Sequence, residues 1–76
     1  MNNQRRKKLK ELWDKVDELR GLLESLRDEE QEYMDNMPEN LQASERYERA
    51  EDAVDSMDYA LDNLSDAMEN LEDAIG

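Results

Sequence analysis

Apolar residues in both halves of the chain recur at alternating steps of three and four residues. In the heptad notation a to g, such residues occupy positions a and d and form one stripe along a helix. In the second half they are Tyr47, Ala50, Val54, Met57, Leu61, Leu64, Met68, Leu71 and Ile75. In the first half the same positions hold Leu9, Leu12, Val16, Leu19, Leu23, Leu26, Glu30, Tyr33 and Met37, where the charged Glu30 interrupts the stripe. The pattern predicts two long helices that each pack one side against a partner helix.

A short polar segment separates the two patterns. Pro38 has no amide donor and disfavours helical geometry at Met37, so the first helix is expected to end near Asn36. Ser44, followed by Glu45, is a suitable N-cap for the second helix. We predict one domain over 1–76, with helices over about 4–35 and 45–75 and a loop over about 36–44.

A chain that reverses in this loop forms an antiparallel pair of helices. Pairing residues whose numbers add to 80 sets each a position opposite a d position, for example Leu26 opposite Val54. In the same register the flanking e positions place opposite charges side by side, which favours one alignment more than it stabilises the fold. These flanking pairs are Arg6 with Glu72, Arg20 with Asp58 and Arg27 with Glu51, while Trp13 lies beside Ser65. The predicted fold class is all-α, an antiparallel, coiled-coil-like two-helix hairpin.

The g positions of the second helix form a line of small apolar residues, which we call the alanine face. It consists of Ala53, Ala60, Ala67 and Ala74, with Leu22 from the first helix. Alanine favours helix and lets helices approach closely, which is sufficient reason for such a line. A stripe that includes a, d and g is nevertheless wider than one helix contact requires. Because a chain of 76 residues gains little stability from its own core, we interpret the alanine face as a docking surface. It would bind a partner helix or a second copy, giving a homodimeric four-helix bundle.

The composition argues against catalysis. The chain has no His and no Cys, so a hydroxyl nucleophile would lack an imidazole base, and the usual zinc ligands are missing. Paired carboxylates need a pocket to separate their pKa values, and a two-helix hairpin offers little concavity. We expect a non-catalytic protein without cofactor or metal. No apolar segment is long enough for a membrane span or a secretory signal, so we expect a cytoplasmic protein.

The net charge of −12 is unevenly distributed. From Glu51 to Gly76 there are nine acids and no base, a density that argues against direct nucleic-acid binding. We define the acidic surface as Asp55, Asp58, Asp62, Asp66, Glu69, Glu72 and Asp73. It is interpreted either as a solvated surface that keeps the protein soluble or, alternatively, as a DNA mimic that inhibits a nucleic-acid-binding protein. The basic run over 5–10 is expected to lie beside Glu69, Glu72 and Asp73 and to offset their charge.

The loop segment from Arg27 to Arg46, Arg-Asp-Glu-Glu-Gln-Glu-Tyr-Met-Asp-Asn-Met-Pro-Glu-Asn-Leu-Gln-Ala-Ser-Glu-Arg, precedes Ala-x-Asp-x-Leu heptads. Together they resemble small uncharacterised acidic helical proteins of Gram-positive bacteria and their phages or mobile elements. The resemblance extends from about Lys8 to Ile75. It implies at most an accessory role in a phage or mobile element, and it assigns no functional residue.

Overall fold

The chain forms two long helices joined by a short turn, in a computed structural model that describes residues 1–76. Helix α1 spans Asn3–Asp35 and helix α2 spans Glu45–Ile75, with a single 3₁₀ turn at Glu39–Leu41 between them. Each helix begins within one residue of its predicted start, and the ends agree. Asn2 caps α1, its side chain accepting a hydrogen bond of 2.8 Å from the Arg5 amide.

The predicted cap of the second helix is confirmed. The Ser44 side chain accepts a hydrogen bond from the Tyr47 amide, satisfying one of the donors that a helix start leaves unpaired. Glu45 and Glu48 lie in the first turn of α2, where negative charge is favourable.

Two interhelical contacts establish that the helices are antiparallel. Arg20 Nε donates to Ser65 Oγ at 2.8 Å, and Arg27 Nε donates to Asp58 Oδ1 at 2.8 Å. Moving forward along α1 therefore means moving backward along α2. The predicted all-α hairpin is confirmed, and it is a rod of 59 × 14 × 12 Å with both termini at one end.

The hairpin buries few residues. Met34, Ala50 and Val54 are the buried ones, at 4–5% exposure, and Tyr47 packs against them. This cluster lies near the loop, whereas the rest of the seam is only half-buried. A core of this size gives a hairpin limited stability on its own.

The predicted stripe of α2 faces α1. Every a and d residue from Tyr47 to Ile75 is buried or half-buried. Asp58 and Ser65, at neighbouring e positions, are half-buried as well because they receive the two arginines of α1.

The predicted stripe of α1 is wrong for its d positions. Helix α1 is turned so that positions a and e face α2: Trp13, Arg20, Arg27 and Met34 at e are buried or half-buried. The four d residues are exposed instead, namely Leu12, Leu19, Leu26 and Tyr33. The large apolar side chains of Trp13 and Met34, with the long arginine stems between them, fill the contact that the leucines were expected to fill.

The predicted register is also wrong, by one heptad. Arg20 contacts Ser65 rather than Asp58, and Arg27 contacts Asp58 rather than Glu51. The numbers of paired e residues add to 85, not 78. The core agrees, since Met34 packs with Ala50 and Val54, where Glu30 and Leu26 were expected.

Neither helix contains a stretch long and apolar enough to cross a membrane.

Candidate association surface

The largest exposed apolar feature is a row of leucines on α1. Leu12 is 48% exposed, Leu19, Leu22 and Leu26 are each 57% exposed, and Tyr33 is 43% exposed. They occupy positions d and g, which adjoin on a helix, so they form one stripe about 32 Å long. Contiguous exposed apolar surface of this kind marks an interaction site far more often than single exposed leucines do.

The four alanines of the alanine face lie on α2, where Ala53 and Ala60 are half-buried and Ala67 and Ala74 are exposed. The adjoining c positions carry the uncharged residues Ser56, Asn63 and Asn70. Between Glu51 and Gly76, every acid is at position b, e or f. From Glu51 to Gly76, the side of α2 made of positions c, g and d is therefore free of charge.

The leucine row and the alanine face lie on the same side of the hairpin. The hydrogen bonds from Arg20 to Ser65 and from Arg27 to Asp58 each join an e position to an e position, so the e positions define one edge of the helix pair. Positions d and g lie across the seam from e on each helix. They meet along the opposite edge and form one surface. We call this surface the open face: Leu12, Leu19, Leu22, Leu26 and Tyr33 of α1 with Ala53, Ala60, Ala67 and Ala74 of α2.

The acidic surface lies away from the open face. Its seven residues occupy positions b, e and f of α2, which follow one another around the helix. Asp58 differs from the other six residues, which are exposed, because it is half-buried and pairs with Arg27. The hydrogen bond from Arg27 to Asp58 raises the pKa of the Arg27 guanidinium above its ordinary value, and the nearby charges of Asp58 and Asp28 act in the same direction. The arginine thus stays charged and anchors this edge of the hairpin.

The basic run over 5–10 was predicted to lie beside Glu69, Glu72 and Asp73. It forms no ion pair with them, although Lys10 and Glu72 line the same hollow. In the observed register Ile75, the last residue of α2, is level with residue 10 of α1. The first seven residues of α1 therefore extend beyond α2 by about 10 Å. This overhang places a cluster of positive charge at the terminal end of the rod.

Two hollows adjoin these surfaces, one at each end of the rod. A groove of about 630 Å³ at the loop end is lined mainly by Tyr33, Met37, Pro38 and Leu41. A smaller one of about 270 Å³ near the terminal end contains Trp13 and Glu72. Trp13 Nε1 is buried there without a hydrogen-bond partner. No group of three or more acidic residues is placed to hold a metal ion.

Sequence reasoning identified Leu22 and the four alanines but missed the other leucines of the open face. It assigned Leu12, Leu19 and Leu26 to the hairpin's own core. The available signal was the e positions of α1, where Trp13 and Met34 are as apolar as the leucines.

No protein-family model, no curated protein and no solved structure matches this chain.

Proposed function

We propose that the protein is a non-catalytic association module that assembles with itself through the open face. The observation that carries the proposal is the exposed row formed by Leu12, Leu19, Leu22 and Leu26. Removing a leucine side chain fully from water contributes about 1.5–3 kcal/mol. Several half-exposed leucines per copy therefore provide a substantial driving force for association.

The small core supports the same proposal. With three buried residues in 76, the hairpin lacks the packed interior that stabilises most independent domains. Covering the open face would convert a two-layer contact into a bundle with a continuous interior. The open face would then act as the second half of the core.

In this proposal the acidic surface is the solvated outside of the assembly. Its charges are on the side of α2 that faces away from the open face, so they do not oppose association. They keep the outer surface hydrated and separate one assembly from another.

Light scattering after size exclusion, over a dilution series, tests the proposal. We expect a mass that is a multiple of the 9.0 kDa chain and that is unchanged when sodium chloride is raised to about 1 M, since apolar contacts are not screened by salt. Leu19→Glu combined with Leu26→Glu should return the mass to that of one chain.

Tyr59→Glu is the matched control. Tyr59 is the most exposed large apolar residue, at 72%, but it lies among the acids on the opposite side of α2. The control should keep the mass of the unaltered protein. A wild-type protein that is monomeric throughout the series would refute the proposal, as would an assembly that the double leucine variant leaves intact.

A further inference from the structure

We propose that the open face binds the open face of a second copy about a two-fold axis perpendicular to the helices, passing at the level of Leu22 and Asn63. The proposal rests on the proposed self-association and specifies its geometry. In this dimer α1 packs antiparallel on α1 of the second copy, and α2 packs antiparallel on α2. A two-fold interface requires a surface that is complementary to itself.

The α1 part of the open face is self-complementary. The two-fold axis at Leu22 sets each residue of α1 opposite a residue of α1 in the second copy, and the two residue numbers add to 44 or 45. Leu19 then meets Leu26 of the second copy, Leu12 meets Tyr33, and Leu22 meets Leu22. Each large apolar side chain of the row is thus opposite another one, and none is left facing a charge.

The two charged residues within the leucine row also pair. Lys15 and Glu29 are the g residues on either side of Leu22, and both are exposed. The same reversal sets Lys15 of one copy beside Glu29 of the other, twice per dimer. Beyond them, the basic run over 5–10 of one copy lies opposite residues 34–40 of the other, which carry two acids and no base. These charges of α1 are therefore complementary in this orientation.

Helix α2 is self-complementary about the same axis. Reversal about residues 63–64 pairs Ala60 with Ala67 and Ala53 with Ala74 of the second copy. It also pairs Asn63 with Asn63, whose amide groups can hydrogen-bond each other. In the observed register residue 22 of α1 is level with residue 63 of α2, because paired numbers add to 85. One axis therefore satisfies both helices.

The charge-free side of α2 is what allows two acidic helices to lie side by side. Positions c and g, which would face the second copy, carry only Ser, Asn and Ala between 53 and 74. The acids remain at b, e and f on the outside. A broad side of 59 × 14 Å corresponds to roughly 800 Å² per copy, which is the size typical of stable interfaces.

A two-fold axis parallel to the helices would instead stack α1 on α2 of the second copy. Lys15 would then be level with Asn70, and Glu29 with Ser56. Both charges would enter the interface without a partner, which is unfavourable. The pairing of Lys15 with Glu29 therefore favours the perpendicular axis.

Cross-linking of single-cysteine variants tests the geometry, because the chain has no cysteine of its own. Leu22→Cys should form a covalent dimer with a short bismaleimide. Ala53→Cys should not link to itself but should link to Ala74→Cys when the two variants are mixed. Circular dichroism of each variant verifies that the helices are retained.

Reversal of the charged pair provides a second measurement. Lys15→Glu sets four acids around the axis and should raise the dissociation constant of the dimer about tenfold at low salt. Glu29→Lys should weaken the dimer similarly, and the variant carrying both changes should recover the original value to within about threefold.

The outcomes separate this geometry from the proposed function. A monomeric wild-type protein refutes self-association and the geometry together. A dimer in which Leu22→Cys fails to link to itself, but links to Asn63→Cys, keeps the association and overturns the perpendicular axis. Additive weakening by the two charge reversals, without recovery, also overturns it.

Discussion

Gly21 lies in the middle of α1, at a position where no conformational freedom is needed. Its backbone is helical, and an added Cβ would meet no atom within 4 Å. Glycine within a helix costs about 0.5–1 kcal/mol relative to alanine, because the unfolded chain loses more freedom on folding. Gly21→Ala should therefore raise the free energy of unfolding by about that amount.

Urea denaturation at one fixed protein concentration measures this effect, with Gly21→Pro as the opposite control because it should break α1. Gly21 occupies position f of α1, away from the open face, so Gly21→Ala should not change the mass of the protein in solution. A Gly21→Ala variant that is less stable than the wild type would contradict the expectation that the added Cβ meets open space.

Trp13 shows at the scale of one side chain how the register alters its environment. The predicted register placed it beside Ser65, whose hydroxyl offers an acceptor for the indole nitrogen. In the observed register Arg20 takes that hydroxyl, at 2.8 Å, and Trp13 Nε1 has no partner. Trp13 thus contributes to the hairpin through apolar packing alone.

At the scale of the helices, the contact between Arg27 and Asp58 identifies the observed register. A double-mutant cycle with Arg27→Ala and Asp58→Ala should give a small favourable coupling, as for other partly exposed ion pairs. The same cycle with Arg27→Ala and Glu51→Ala, the pair of the predicted register, should give none. Coupling to Glu51 in place of Asp58 would mean that the hairpin is aligned one heptad away.

The pH dependence of this contact follows from the direction of its shift. Asp58 raises the pKa of Arg27, so the stability that the arginine contributes is present at all pH values below its ordinary pKa. It is lost only as the pH rises past the raised value. We therefore expect no change in unfolding free energy from deprotonation of Arg27 across neutral pH.

The helices could be predicted closely because local signals determine them. Pro38 and Ser44 bound the loop by their own chemistry, and the a and d stripe of α2 has acids on its e side and small residues on its g side. Only one side of α2 is therefore suitable for a core. The orientation of α1 could not be predicted in this way. Its apolar residues include Leu22 at g, the leucines at d and Trp13 at e. Together they form an apolar surface wider than a single partner helix can cover.

The register was missed for a related reason. The apolar stripes of both helices repeat every seven residues, so a shift by one heptad keeps most apolar residues opposite another. Only the flanking residues distinguish the alignments, and exposed ion pairs are too weak to decide. The leucines of the open face were accordingly assigned to the core, and the larger part of the candidate surface was not recognised.

At the scale of the whole molecule, the small core couples stability to association. If folding and assembly are linked, the midpoint of thermal unfolding should rise with protein concentration. A hundredfold increase stabilises a linked equilibrium by about 2.7 kcal/mol, which is readily detected in a domain of this size. Circular dichroism at 222 nm (a wavelength that reports helix content) measures the midpoint at each concentration.

The variant with Leu19→Glu and Leu26→Glu should show a lower midpoint that does not depend on concentration. A wild-type midpoint that is constant over the same range would mean that the hairpin is stable without a second copy.

The rod also has both chain termini at one end. In a dimer about the perpendicular axis, the termini of the two copies would project from opposite ends, separated by roughly the 59 Å length of one hairpin. Segments joined to the termini would be held apart by a stiff spacer, and each end would carry one of them. About the parallel axis the same segments would emerge together, and the protein would act as a clamp. The choice of axis thus decides whether this hairpin separates what it carries or brings it together.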